Sequence, residues 1–128
     1  DPCTVALDDW MLTCNTMPVA ALSLPWGRNP DRWMAGFDRA LVLAPALMVA
    51  SPGMHIAPLG MGGRRKQVGD LFTDRKVAPA LRAGWPVVVD RANNTVLWVC
   101  GLAQSHHARI TDATQHLWVA QWAPSAGR

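Results

Sequence analysis

The sequence predicts a small α/β protein of the α+β type, with a mixed, mostly antiparallel sheet and two short helices. Three observations predict this class. Short apolar runs of strand length, such as residues 85–90 and 95–100, are separated by turn-forming residues. A glycine-rich bend leads into a stretch whose apolar residues recur at helical spacing. Half of the 128 residues are hydrophobic, which suffices to bury the core of one compact domain.

The predicted domain boundary is placed where the strand and helix patterns become clear. Residues 1–36 show weak periodicity, and we expect them to be a poorly defined N-terminal segment, the remnant of a preceding domain or a linker. Residues 37–128 carry the clear strand and helix patterns and form the predicted domain. Because the chain begins at Asp1 rather than Met, we expect it to be a piece of a longer protein.

The strands are predicted from apolar runs bounded by proline, glycine or asparagine. Near the N-terminus we expect a short helix over residues 5–12, a strand or extended segment over 19–24 and a turn or linker at 25–30. The remaining predicted strands comprise residues 40–43, 46–50, 55–57, 85–90, 95–100 and 115–122. Asn93 and Asn94 predict a hairpin turn, because asparagine tolerates left-handed backbone, and residues 102–114 are expected to form a loop.

Two short helices are predicted beside the sheet. The first spans roughly residues 65–74, where apolar side chains one turn apart would face the core. The second begins at Pro79 and ends at Gly84, since proline suits the first turn of a helix and glycine suits its end.

The bend and the first helix together predict a binding site for a polyanion. The glycines of the bend tolerate positive φ, and without a Cβ they let a phosphate approach the backbone closely. These residues are Gly60, Gly62 and Gly63. A helix that starts near Arg65 would direct unpaired N–H groups and the positive end of its dipole at the same place.

Positive charge is concentrated around this bend. The formal charge of the chain is +3, but residues 64–82 contain six cations against two aspartates. The six are the predicted site residues: Arg64, Arg65, Lys66, Arg75, Lys76 and Arg82. Such a patch indicates a nucleic acid or another polyanionic partner. The alternative is a non-catalytic protein-interaction module with a solvated basic face.

Other function classes have no matching pattern in the sequence. Neither Gly-x-x-x-x-Gly-Lys-Ser/Thr nor Gly-x-Gly-x-x-Gly occurs after a strong strand, so a nucleotide site in this chain is not expected. The adjacent His106 and His107, with Cys100, match no zinc spacing. No grouping of nucleophile, base and acid indicates a catalytic centre. We therefore expect no cofactor and no metal in this chain.

Cysteine usage and hydropathy favour a cytoplasmic protein. Three cysteines at irregular spacing indicate reduced thiols. No apolar run reaches the roughly 20 residues that a membrane span requires, and no charged n-region followed by an apolar h-region indicates a signal peptide, so we expect no membrane partner. Among seven tryptophans, Trp98 and Trp118 are expected in the core, whereas Trp26 and Trp85 are the candidates for exposed stacking on bases.

Several blocks between residues 37 and 122 occur in a specific order. They read PLGMGGRRK at 58–66, DLFTDRKV at 70–77, PVVVD at 86–90 and LWVCGL at 97–102. Together they resemble the C-terminal domain of the tRNA(Ile)-lysidine synthase family. The turn Pro52-Gly53-Met54-His55 departs from the Pro-Gly-Asp-Arg-like turn of that family and carries less positive charge.

The resemblance implies a parent enzyme that uses ATP and Mg²⁺ to ligate lysine to the wobble cytidine of an isoleucine tRNA. In that family an N-terminal domain with a Ser-Gly-Gly-x-Asp-Ser loop performs the chemistry, and no such loop occurs here. The implied role of residues 37–128 is to bind and position tRNA(Ile) for the catalytic domain of the same protein, so the chain alone is expected to be non-catalytic. The implied tRNA contacts fall on the six cations, and whether the chain forms a homodimer is left open.

Overall fold

The computed structural model describes residues 3–7, 10–21 and 31–124. The chain forms two compact units, one made of Asp1–Val42 with Arg109–Arg128 and the other of Leu43–Ala108. The first unit is therefore discontinuous in sequence, whereas the predicted division at residue 36 follows chain order. The assignment of residues 1–36 and 37–128 to separate functional parts stays a prediction.

Ten strands and two α-helices make up the described part of the chain. The strands are β1 (Cys3–Leu7), β2 (Trp10–Pro18), β3 (Met34–Asp38), β4 (Pro45–Val49), β5 (His55–Ile56), β6 (Lys66–Gln67), β7 (Pro86–Asp90), β8 (Thr95–Val99), β9 (Ala103–Gln104) and β10 (His116–Pro124). The helices are α1 (Val68–Asp74) and α2 (Pro79–Arg82). The α+β class, with antiparallel strand pairs and two short helices, is confirmed, although the strands form three sheets rather than one.

The discontinuous unit contains a four-stranded antiparallel sheet in the order β1-β2-β10-β3. The predicted strand at residues 115–122 is confirmed as β10, which has a partner strand on each side. Its residues 117–120 are buried without a break, and the Trp118 ring packs 6.0 Å from that of Phe37 on β3. Burial of Trp118 is thereby confirmed.

Three predictions in the first 42 residues are wrong. Residues 5–7 lie in β1 and residues 10–12 lie in β2, with Val5 opposite Leu12, instead of in a helix. Val19–Ala21 and Arg39–Leu41 form short 3₁₀ turns instead of parts of strands. The second turn forms because the Asp38 carboxylate accepts a hydrogen bond of 3.0 Å from the Ala40 N–H. Residues 22–30, including Trp26, lie outside the described residues.

The continuous unit contains the second sheet, in the order β4-β7-β8-β9, and the small β5-β6 pair. The predicted strands at 46–50, 55–57, 85–90 and 95–100 are confirmed within a residue or two. The turn at residues 91–94 closes the β7–β8 hairpin, and Asn94 has the expected positive φ of 54°. Within the expected loop, Ala103–Gln104 adds the short strand β9 beside β8.

The core of this unit lies between the helices and the sheet. Its buried residues come from α1, from β5, β7 and β8, and from the connecting segments: Ala50, Ile56, Val68, Leu71, Phe72, Val77, Val87, Val89, Val96, Val99 and Leu102. Trp98 is buried as predicted. Trp85 is half-buried, its indole N–H donates to the Cys100 carbonyl at 2.8 Å and its ring meets Phe72 edge-on at 5.9 Å. The prediction that Trp85 is an exposed stacking residue is therefore wrong.

Two further observations concern the cysteines and the length of the helices. Cys100 is a buried thiol outside any disulfide bond, but Cys14 is disulfide-bonded, so the expectation of reduced cysteines is wrong at Cys14. Of the helices within residues 10–21 and 31–124, none is long and apolar enough to cross a membrane.

Candidate nucleic-acid interface

The glycine-rich bend and the first two cations form one turn, residues 58–65, here called the basic turn. Hydrogen bonds with residues 104–106 fix where it starts: the Leu59 N–H donates to the Gln104 carbonyl at 2.9 Å, and the His106 N–H donates to the Ala57 carbonyl at 2.6 Å. At its far end the Arg64 N–H donates to the Met61 carbonyl at 3.2 Å. The turn is therefore a hydrogen-bonded, largely exposed part of the continuous unit.

Glycine is required in this turn by backbone conformation. Gly60, Gly62 and Gly63 have φ values of 86°, 64° and 85°. Residues that carry a Cβ rarely adopt this backbone conformation. A Cβ added at Gly60 or Gly62 would meet nothing within 4 Å, whereas one at Gly63 would lie 3.6 Å from the His106 ring. The space beside Gly60 and Gly62 is therefore open to a ligand.

The three consecutive cations differ in their surroundings. Arg64 and Arg65 are exposed at the end of the basic turn. Lys66 begins β6, is half-buried and forms an ion pair with the Asp74 carboxylate at the end of α1. Part of the charge of the run is thus compensated within the protein, and the two arginines carry its exposed positive charge.

The predicted helix start at Arg65 is wrong. Lys66 and Gln67 pair with Ile56 and His55 as strand β6, so α1 begins only at Val68. The Val68 N–H donates to the Met54 carbonyl at 2.9 Å, which already satisfies the first donor of the helix. Arg64, Arg65 and Lys66 therefore precede the helix, and its first N–H is not available to a phosphate.

Arg75 and Lys76 lie at the opposite end of α1. Both are exposed, and their backbone N–H groups donate to the carbonyls of Leu71 and Thr73 at 3.0 and 3.1 Å. Lys76 has a φ of 57°, which ends the helix. Cations at a helix C-terminus interact favourably with the partial negative charge of its last carbonyls, so this position is electrostatically suitable for both side chains.

Arg82, the sixth predicted site residue, is held by the protein itself. Its Nε donates to the Val77 carbonyl at 2.9 Å, and a terminal nitrogen donates to the Thr73 hydroxyl at 3.3 Å. The guanidinium carbon also lies 5.9 Å from the centre of the Phe72 ring. These contacts connect α2 to α1, so Arg82 has a structural role whatever else it binds.

Concave surfaces divide the predicted residues into groups. Lys66 and Arg75 meet in one groove of about 350 Å³, which also includes Asp74, Met61 and Gln104. Arg65 lines a separate cleft of about 280 Å³, and Arg82 lines a third of about 430 Å³. The structure therefore brings Lys66 and Arg75 together but gives Arg65 and Arg82 different neighbours.

Sequence reasoning missed His55 and His107, which line the Arg65 cleft. These residues are 52 positions apart in the numbering, and only the fold makes them neighbours of one cleft. One signal was available for His55: it stands at the end of the Pro52–His55 turn, where the resembling family has a basic residue. His107 gave no comparable signal.

A buried carboxylate stabilises the backbone near this cleft. Asp90 accepts hydrogen bonds from the backbone N–H groups of Leu43, Ala44 and Ala92 at 2.9, 3.0 and 3.0 Å. Burial alone would raise the pKa of the Asp90 carboxyl, but these three hydrogen bonds and the nearby His107 outweigh it, and the pKa is lowered. Asp90 is therefore an ionised structural group.

No group of three or more histidine, cysteine or carboxylate side chains suited to a metal ion occurs in the described ranges. The fold and the surface define a small antiparallel α+β domain with an exposed cationic turn and polar clefts beside it.

Comparison with known proteins then places the chain in a family. Residues 46–122 match the family described as the TilS substrate C-terminal domain, and the chain belongs to that family. It is 36% identical over 100 residues to the tRNA(Ile)-lysidine synthase of Geobacter sulfurreducens, covering 76% of this chain and 20% of that protein. Over 54 residues it is 50% identical to the tRNA(Ile)-lysidine synthase of Shouchella clausii, covering 42% of this chain and 11% of the relative. The chain thus spans about a fifth or less of the length of these relatives.

Solved structures agree with the fold. A crystal structure of a TilS C-terminal domain superposes with a TM-score of 0.78 at 21% identity, covering 96% of this chain and 91% of that one. An N-terminal fragment of the phenylalanyl-tRNA synthetase β-subunit from Pyrococcus horikoshii superposes with a TM-score of 0.62 at 16% identity, covering 73% and 28%. At these identities the two likenesses concern the fold alone.

Proposed function

We propose that this chain is the tRNA-binding C-terminal domain of a tRNA(Ile)-lysidine synthase. The parent enzyme would ligate lysine to the wobble cytidine of an isoleucine tRNA with ATP and Mg²⁺ bound in a separate N-terminal domain, in the cytoplasm. Family membership and the names of the two relatives support the parent activity. Binding of tRNA by this part is supported by the basic turn.

The observation that carries the proposal is the exposure of Arg64 and Arg65 at the end of a turn with open space beside it. Two exposed guanidinium groups offer the planar, multiple N–H donors that suit phosphate oxygens. Lys66 and Arg75 add a second cationic edge in their shared groove. Together these residues provide a surface for several consecutive phosphates.

The proposed mechanism is positioning. A-form RNA has a deep, narrow major groove that side chains do not read, so a surface of this kind would contact phosphates and 2′-hydroxyl groups of a helical arm of the tRNA. Holding the tRNA there raises the effective concentration of the anticodon at the tethered catalytic domain. The six cations stay predicted contact residues, and Arg82 contributes least because its guanidinium is already engaged.

A protein-interaction module is the alternative function, and one observation favours it. Strand β4 lies at the edge of its sheet and exposes Met48 and Val49. Such an edge is suited to pairing with another protein. Salt separates the two functions, because binding to phosphates weakens steeply with added salt whereas an apolar interface does not.

The test is titration of the chain with an isoleucine tRNA transcript over a salt series. Arg64→Ala with Arg65→Ala should weaken binding and reduce the salt slope by about 2, since roughly one phosphate contact is lost with each cation. The matched control is Arg32→Ala with Arg39→Ala, which removes two exposed arginines from the other unit. Equal effects of the two double variants, or no binding by the unmodified chain, would overturn the proposal.

A further inference from the structure

The cleft that holds Arg65 also contains two histidines, and it is here called the histidine cleft. Its lining residues include His55, Arg65, Asn94, Thr95, Ser105 and His107, around a volume of about 280 Å³. The side chains supply guanidinium, imidazole, amide and hydroxyl groups. No carboxylate belongs to its lining among the described residues.

The backbone holds these side chains in place from three directions. His55 lies in the β5–β6 pair opposite Gln67, and Arg65 directly precedes Lys66, which is opposite Ile56 in that pair. The loop that carries His107 is attached to β8, since the Ser105 N–H donates to the Leu97 carbonyl at 2.8 Å. The His107 N–H in turn donates to the Ser105 hydroxyl at 2.9 Å.

Asn94 and Thr95 complete the cleft from the β7–β8 hairpin. Asn94 keeps its left-handed conformation at the end of the turn, and Thr95 begins β8. The cleft adjoins a second one of about 360 Å³, since His55, Arg65 and Asn94 line both. Arg65 and His55 therefore stand between two adjoining depressions.

We propose that the histidine cleft is a phosphate-binding subsite for the RNA backbone, in which His55 and His107 act beside Arg65. This inference rests on the proposed tRNA-binding function and adds two residues that sequence reasoning did not place there. A phosphodiester is the ligand that fits, because the lining offers hydrogen-bond donors and positive charge and a phosphate presents only acceptor oxygens.

Histidine makes such a subsite sensitive to pH. Imidazole gains a proton, and with it a positive charge and a second donor, within the range of about pH 8 to 5. The charged and polar groups that line the cleft beside the two histidines are Arg65, Asn94, Thr95 and Ser105. Outside the lining, the amide nitrogen of Asn93 lies 3.5 Å from His107 Nε2, and His107 contributes to the lowered pKa of the buried Asp90 carboxyl. The Asp90 carboxylate is hydrogen-bonded to three backbone N–H groups and is not part of the cleft lining, so no carboxylate of the lining offsets the positive charge of Arg65.

The experiment measures the affinity of the full chain for the tRNA transcript at pH 6.0 and pH 8.0 at constant ionic strength. We expect the unmodified chain to bind roughly three- to tenfold more tightly at pH 6.0, the range expected for one or two added charge contacts to phosphate. His55→Gln with His107→Gln should bind nearly equally at both pH values. The control is His116→Gln, an exposed histidine on β10, which should keep the pH dependence of the unmodified chain.

The outcomes separate this subsite from the proposed function. Binding that is independent of pH in the unmodified chain, or a pH dependence that survives in the double variant, overturns the subsite while the tRNA-binding function stands. Absence of binding by the unmodified chain at both pH values overturns both. A second readout needs no variant: added tRNA should shift the NMR signals of the His55 and His107 rings more than those of His116, and equal shifts would contradict the subsite.

Discussion

Lys66 at the start of β6 forms an ion pair with Asp74, the last residue of α1. The pair joins the strand that follows the basic turn to the far end of the helix. It also neutralises one of three consecutive cations, whereas Arg64 and Arg65 form no ion pair with any residue in the described ranges. Asp74 thus competes with an external anion for the Lys66 ammonium group.

Asp74→Asn should therefore increase tRNA affinity by releasing Lys66. The expected gain is roughly two- to fivefold, with a steeper salt dependence, because a partly exposed ion pair of modest strength is exchanged for a phosphate contact. Binding titrations over a salt series measure both quantities.

The matched control for that variant is Asp70→Asn. Asp70 is exposed on the same helix and its replacement changes the net charge equally, but it does not pair with Lys66. A gain of the same size in both variants would show that net charge, and not release of Lys66, determines the effect.

Asp90 is expected to contribute strongly to folding stability. Its carboxylate is buried and accepts three backbone hydrogen bonds, so Asp90→Asn should lower the free energy of unfolding at pH 7 by about 2–4 kcal/mol. Urea unfolding of both proteins measures the difference.

The pH dependence of this difference has a definite sign. Because the pKa of Asp90 is lowered in the folded state from its ordinary value of 3.8, its stabilising contribution is complete above that value. The contribution is lost as the pH falls through the lower, folded-state pKa. The gap between the unmodified chain and Asp90→Asn should accordingly shrink under acidic conditions, and a gap that widens there would refute this account.

Arg75 and Arg82 should differ in which property they affect. Arg82→Ala removes two hydrogen bonds and the contact with Phe72, so we expect the unfolding free energy to fall by about 1–2 kcal/mol. We expect the tRNA affinity of the folded Arg82→Ala variant to change little. Arg75→Ala should weaken tRNA binding with stability within about 0.5 kcal/mol of the unmodified chain. Thermal melting and tRNA titration of both variants test this, and the reverse assignment would contradict it.

Gly60 and Gly69 form a matched pair for backbone strain. An added Cβ meets nothing within 4 Å at either position, but Gly60 has a φ of 86° whereas Gly69 lies within α1. Gly60→Ala should lower stability by about 1 kcal/mol, because the left-handed region is costly for residues with a Cβ. Gly69→Ala should raise it by about 0.5 kcal/mol, since alanine loses less entropy in a helix. Chemical unfolding of both variants measures the two changes in unfolding free energy. Changes of the same sign would contradict the strain argument.

Elements determined by local sequence were predictable. The β7–β8 hairpin follows from apolar runs on each side of Asn93 and Asn94, and α2 follows from Pro79 and Gly84. The β1–β2 hairpin was not predictable, because β2 gains its strand partner β10 from a segment about 100 residues away. The start of α1 was missed for a similar reason: pairing with β5, and not the local pattern, makes Lys66 and Gln67 a strand.

The candidate site was only partly readable from the sequence. The cations and the glycines can be recognised in the sequence. Which of the cations are engaged within the protein depends on tertiary contacts that the sequence does not show. Asp74 lies eight residues from Lys66, and Thr73 lies nine from Arg82, at spacings that no helix or turn brings together. The histidine cleft depends on three separate segments and has no signature in any one of them.

The central claim is that residues 64–66 bind the tRNA backbone. The most direct measurement is the salt dependence of tRNA(Ile) affinity for the unmodified chain and for the triple variant Arg64→Ala, Arg65→Ala, Lys66→Ala, with circular dichroism to verify folding. We expect a folded variant that binds more weakly, with a logarithmic salt slope lower by about 2, because Arg64 and Arg65 are exposed whereas Lys66 is paired with Asp74. An unchanged affinity and slope in a folded triple variant would contradict the claim.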